Sequence, residues 1–161
     1  MSAPHHVEML AFAHDMLTKA AAWPDDKATA QAPGQPNHCL WTLGHIALTY
    51  EWASGTLDGK KSALPESWNG LFGMGSKPVA DASAYPPVAE VRKAYDQAYA
   101  RLAGIAASLT PAQLNESVKE STGGFASTKA DMLYKTAWHD GWHLGQLTTL
   151  RKFLGLPALL S

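Results

Sequence analysis

His139 and His143 stand four residues apart, a spacing that on an α-helix stacks two imidazoles on one face about one turn apart. An H-x-x-x-H pair of this kind can chelate one metal ion, because its ring nitrogens can converge at about 2.0 to 2.1 Å from it. A third imidazole, His45, lies in the series His38, Trp41, His45, Leu48, Trp52, whose steps of three and four are also helical. Where two such stripes face one another, the three rings form a facial site with further coordination positions open to water or substrate. Imidazole is neutral, so the ion would keep its charge. It would then lower the pKa of water toward about 7 or hold a thiol as thiolate, which leads to hydrolysis or to thiol transfer. Spacing leaves open the alternative that these are core histidines satisfied by hydrogen bonds. Three buried imidazoles without partners would each cost about 1–3 kcal/mol, which counts against three of them meeting by accident.

The elements that must position these rings are helices. No stretch alternates like a strand, and four long segments carry helical periodicity. The first covers roughly 4–22, with Leu10, Ala13, Leu17 and Ala20 on one stripe, and ends at Pro24 and the Asp25-Asp26 pair. The second begins at Asn37, a favourable N-cap just after Pro36, and runs to about Ser54 before Gly55. The third follows Pro86-Pro87. Its stripe of Val88, Val91, Tyr95, Ala98, Leu102, Ile105 and Leu109 is the seam of a helix packed nearly parallel to its neighbours. Thr110-Pro111-Ala112-Gln113 predicts a capping box that opens a short extra helix. Thr128, with Asp131 at N3, caps a fourth long helix over 129–154, about 39 Å in length, which stops at Gly155. Its inward stripe is Met132, Thr136, His139, His143, Leu147, Leu150 and Leu154, so both imidazoles occupy seam positions. The expected fold is all-α: a single domain over 1–161, a four-helix bundle in up-down arrangement with a long crossing loop and a short extra helix. The segments 23–36 and 57–85 are long connections. The second carries Trp68, Leu71, Phe72 and Met74 and is expected to pack on the body, as a lid or as a cover over the core.

Other polar residues receive smaller roles. His38 lies seven residues before His45, about 10.5 Å along the axis, too far to share an ion with it, and reads as structural or pocket-rim. His5, His6 and His14 read as surface polarity. Asp140, about 100° around the helix from His139, is expected to face solvent or to support the ligands from behind. Gln146, three residues after His143, could orient a ligand or donate to the core, and Tyr95 and Tyr99 are pocket candidates. No residue stands out as a catalytic base.

The bulk composition narrows the function class. In 161 residues the hydrophobic share is 46%, the charged share 17% and the net charge -1, as in an ordinary globular protein. A pI near 6.6 without a basic cluster argues against a nucleic acid partner. No apolar run is long enough to span a membrane. The one cysteine, Cys39, cannot form an internal disulfide, and the N-terminal stretch lacks the pattern of a signal peptide, so a cytoplasmic protein is expected.

The segment WTLGHIA, from Trp41 to Ala47, together with HDGWHLGQLTTLRKFLGLP, from His139 to Pro157, resembles the DinB-like superfamily, also described as DinB and YfiT-like metalloenzymes. The family pattern has a lone His in the second helix after a Trp and a Leu, then H-x-x-x-H-x-G-Q, an Arg, and a Leu-Gly near the chain end. His139, His143, Gly145, Gln146, Arg151, Leu154 and Gly155 follow in that order. The resemblance covers the helix order and nearly the whole chain, although its diagnostic residues lie in two helices. It implies one divalent metal ion, nickel or zinc, on His45, His139 and His143, and a bundle that pairs into a homodimer. Members include bacillithiol- and mycothiol-dependent S-transferases and a mycothiol-dependent maleylpyruvate isomerase. The expectation that follows is a metal-dependent enzyme acting on a small-molecule substrate, of thiol S-transferase or hydrolase type, with a low-molecular-weight thiol as its further cofactor. The alternative is a non-catalytic metal-binding or stress-associated bundle.

Overall fold

The computed structural model describes residues 4–159. These are all-helical, with no strand among them: α1 (His5–Ala20), α2 (Cys39–Asp58), α3 (Trp68–Phe72), α4 (Val88–Ser108), α5 (Pro111–Leu114) and α6 (Lys129–Phe153). No helix among the described residues is long and apolar enough to cross a membrane.

Local chemistry sets the helix ends. The Thr128 hydroxyl accepts from the Asp131 N–H at 3.2 Å, and Thr110 and Gln113 form the expected capping box. The second helix starts one residue later than expected. Its N-cap is His38 rather than Asn37, with the ring Nδ1 accepting from the Trp41 N–H at 3.0 Å and the Nε2–H donating to the Val79 carbonyl at 3.1 Å. It also runs past Gly55 to Gly59, which takes the left-handed conformation (φ 72°) that ends a helix. At the end of α1, Arg151 and Arg92 donate to carbonyls of Ala20, Ala21, Ala22 and Trp23, which no longer have helical partners.

Packing follows the apolar stripes, with one correction. α1 lies mainly against α6 and α2 mainly against α4, while α2–α6 and α1–α4 contacts close the set. Leu10, Leu17 and Ala20 of α1, Val91, Tyr95, Ala98 and Leu102 of α4, and Met132, Thr136, Leu147 and Leu150 of α6 are buried as their spacing predicts. In α2, however, the fully buried residues include Leu43, Ile46, Ala47, Tyr50 and Ala53, whereas Trp52 is 41% exposed. In the His38-Trp41-His45-Leu48-Trp52 stripe, His38 and Trp41 are buried, whereas from His45 through Leu48 to Trp52 it passes onto the flank of α2 rather than its core face. That helix is apolar almost all round, so periodicity alone does not show which stripe points inward.

The 59–87 segment covers that flank. Trp68 and Phe72 are buried, and Trp68 meets the Phe72 ring edge-on at 5.0 Å. Phe72 lies directly on Gly44, where an added Cβ would fall 2.4 Å from the phenyl ring. Gly44 thus lets the segment approach α2 closely enough to bring a loop carbonyl to the neighbouring His45. The long segment packs down as expected, and it helps to build the site.

Candidate metal centre

His45 comes from the flank of α2, and His139 and His143 from successive turns of α6. Their ring nitrogens meet. Nε2 of His139 lies 3.3 Å from Nε2 of His45 and 3.2 Å from Nε2 of His143. The three residues lie close enough to bind one metal ion, their ligand atoms all within 4.8 Å of one another.

The far nitrogens decide what the near ones carry. Nδ1 of His45 sits 2.8 Å from the carbonyl oxygen of Phe72, which only accepts, so Nδ1 holds the proton. Nδ1 of His143 likewise donates to the Oε1 of Gln146 at 2.9 Å. Burial holds the His143 ring down to about 4 and His139 down to about 3, and it lowers His45, so all three rings are neutral near pH 7. The Nε2 atoms of His45 and His143 therefore present lone pairs toward His139. A neutral His139 can donate a proton to one of them and not to both. One acceptor lone pair is then left without a donor, and the buried Nδ1 of His139 has no partner in either tautomer; a cation shared by the three Nε2 atoms resolves the mismatch. With ligands about 2.1 Å from a shared ion, the observed separations correspond to angles of about 100° at the metal. The donor set, its tautomers and its spacing all fit a divalent ion, and the ion itself would sit on neutral ligands.

Aromatic groups hold the rings in place. Trp41 stacks on His45 at 4.7 Å with a 9° interplanar angle, and its own Nε1–H donates to the Ser76 hydroxyl at 2.8 Å. His143 is buried and His45 and His139 are half-buried, and His45 lines a cavity of about 880 Å³. Cys39 belongs to the core. Burial pushes its thiol up to about 12, which leaves it no nucleophilic role at neutral pH.

Geometry of this kind is what the family pattern describes. A model of the DinB superfamily matches residues 9–147. The chain belongs to the DinB superfamily. A comparison with curated proteins finds no match. The DinB match runs through both stretches that carry the histidines, and the helical order of the chain agrees with it.

Several residues sit elsewhere than the DinB pattern or their spacing suggested. Asp140 does not face solvent. It is fully buried, and its Oδ2 accepts from the Tyr50 hydroxyl at 2.6 Å while its Oδ1 has no partner. His14, expected at the surface, is half-buried with its Nδ1 3.3 Å from the Tyr50 oxygen and its ring stacked 3.5 Å from Tyr99. His6 is buried as well, with Nε2 3.3 Å from the Ala106 carbonyl oxygen. Tyr95 and Tyr99 line this inner network rather than the cavity. Gln146 performs the orienting role foreseen as one of its options. The Phe72 carbonyl was beyond reach of the sequence, because a backbone atom leaves no mark on residue type.

The inner network predicts an unusual pH response. Desolvation pushes Asp140 from the ordinary 3.8 up to about 8. Folded, it stays protonated until about pH 8; unfolded, it ionises near 3.8, so its contribution to stability falls as pH rises between those values. The lowered histidines act in the opposite sense, but only below their ordinary 6.5. Between pH 6.5 and 8 the unfolding free energy of the metal-free protein should therefore decline, and Asp140→Asn should abolish the decline. Urea denaturation of both proteins at the two pH values measures it; an equal slope in the variant would contradict the assignment.

Proposed function

We propose that this chain is a divalent-metal enzyme in which His45, His139 and His143 hold one ion, nickel or zinc, and which joins a low-molecular-weight thiol to a small electrophile. The supporting observation is the convergence of three neutral Nε2 atoms whose Nδ1 partners, Phe72 and Gln146, commit two of them to act as acceptors. When bound, the ion supplies the positive charge that lowers the pKa of a thiol near it.

The chain's own groups then orient and admit. Trp41, Phe72 and Gln146 fix the imidazoles, and the cavity beside His45 gives a substrate access to them. In the overall reaction a carbon–sulfur bond replaces the bond from carbon to its leaving group, and the thiol proton departs with that group. Hydrolysis fits less well, since it calls for a free base to take a proton from water. Glu51, on the cavity wall, is engaged by Arg101, and Asp140 is locked beneath Tyr50. Thiol transfer makes a weaker demand, because a thiol starts from a far lower pKa than water and loses its proton to solvent more readily beside an ion. Around this centre the chain is proposed to form a single up-down four-helix bundle, supported by the closed set of contacts among α1, α2, α4 and α6.

A homodimer is proposed with it. Tyr134, Trp138 and Trp142 stand at four-residue steps on the outer side of α6 and are 41%, 58% and 57% exposed, a contiguous aromatic face of the kind that can mark an interaction site. Sedimentation should find a dimer for the parent chain and a monomer for Trp138→Ala combined with Trp142→Ala. Monomers in both would remove the proposal.

The enzymatic reading is tested with the metal-loaded protein and a panel of low-molecular-weight thiols and electrophiles, beside His143→Ala. A loss of kcat/KM of about a hundredfold or more in the variant is expected. Equal rates in the two proteins would overturn it, and metal binding without turnover by either would point to a non-catalytic binder.

A further inference from the structure

The cavity beside His45 is long. Along α2 its wall is formed by His45, Thr49, Trp52 and Thr56, one face of the helix over three turns, roughly 16 Å at 1.5 Å per residue. Beyond Gly59 the chain turns back, and Lys60 and Lys61 line the far end.

That end is a built structure. Arg101 of α4 donates to the carbonyls of Lys60 and Lys61 at 3.3 and 3.2 Å and to both oxygens of Asp58 at 3.1 and 3.2 Å, and it pairs with Glu51. The Lys60 N–H donates to Asp58 at 2.8 Å, and the Glu51 carboxylate accepts from the Ala63 N–H at 2.9 Å. Gly55 leaves room for the Lys60 carbonyl, which would lie 2.9 Å from a Cβ placed there. One arginine thus fixes the backbone under both lysines and engages the two nearest carboxylates. The ammonium groups of Lys60 and Lys61 are left without an ion-pair partner among the described residues. Glu51, held by Arg101, and Glu66, on an exposed part of the wall, are the carboxylates that line the cavity.

We propose that this cavity takes an elongated acid: a small molecule with a carboxylate held by Lys60 and Lys61 and a thiol at its other end, directed to the three histidines. The proposal rests on the metal–thiol reading and adds to it the charge and length of the molecule that carries the thiol. Cationic groups on a fixed loop at one end and a cation-binding cluster at the other select a ligand that is acidic at one tip and sulfur-bearing at the other. A neutral thiol of the same length would engage only the histidine end.

The test uses cobalt(II)-loaded full-length protein, whose sulfur-to-cobalt charge-transfer band reports thiol binding directly. The probes are mercaptoundecanoate, mercaptoundecanol and mercaptoethanol. The acid should bind about tenfold more tightly than the alcohol of equal length, as expected for two partly exposed ion pairs. That preference should vanish in Lys60→Ala combined with Lys61→Ala, while cobalt content and mercaptoethanol affinity stay the same. In the parent protein it should also shrink as salt is raised, a measurement that needs no variant. Equal binding of acid and alcohol, or a preference that survives both substitutions, would overturn the proposal. Absence of the band with every thiol, mercaptoethanol included, would overturn the metal–thiol reading and this inference with it, an outcome distinct because it does not depend on the tail.

Discussion

Two acceptor nitrogens that face one shared ring nitrogen, with at most one proton between them, make a contact that wants a cation, and the helices around His45, His139 and His143 are arranged to create it. The arrangement needs both tautomers and position. The Phe72 carbonyl and the Gln146 amide oxygen accept from the outer nitrogens of His45 and His143 and so keep the ring protons there, and the inner nitrogens must accept. Position comes from the stacking of Trp41 on His45 and from the four-residue spacing on α6. Burial then keeps the rings neutral, which removes the alternative of relieving the contact by taking up protons. Each of these is ordinary. Together they leave a divalent ion as the simplest partner, and the proposed centre follows from that one electrostatic constraint.

The interior is divided by α2 and α6. On one side the flank of α2 carries His45 to the wall of an open cavity. On the other, the buried Tyr50 and Asp140 reach inward to the half-buried His14 and the tyrosines of α4. Adjacent residues of α6, His139 and Asp140, therefore serve different compartments, because neighbours on a helix point about 100° apart. The Tyr50–Asp140 hydrogen bond also ties α2 to α6 beside the histidines, the register on which their meeting depends.

Much of this was legible in the residues. The α6 stripe from Met132 to Leu150 runs inward as its steps of three and four indicate, and the caps at Thr128 and Thr110 were written in side chains that can only act locally. The α2 stripe was harder. His45 was expected on an inward face, yet a helix apolar on nearly every side offers two candidate seams, and the true core runs through Leu43, Ile46 and Tyr50. Asp140 was misplaced because an acidic residue beside an inward stripe is usually solvated; only a partner 90 residues away, Tyr50, makes its burial tolerable. The Phe72 carbonyl and the Arg101 clamp had no sequence signal at all. One is backbone, and the other joins segments 40 or more residues apart.

X-ray absorption at the metal edge, on protein purified without a histidine tag and loaded with nickel or zinc, tests the central claim most directly. One ion per chain with three imidazole nitrogens at about 2.0 to 2.1 Å is the predicted result. An ion held by oxygen or sulfur alone, or a chain that retains no ion, would contradict the account.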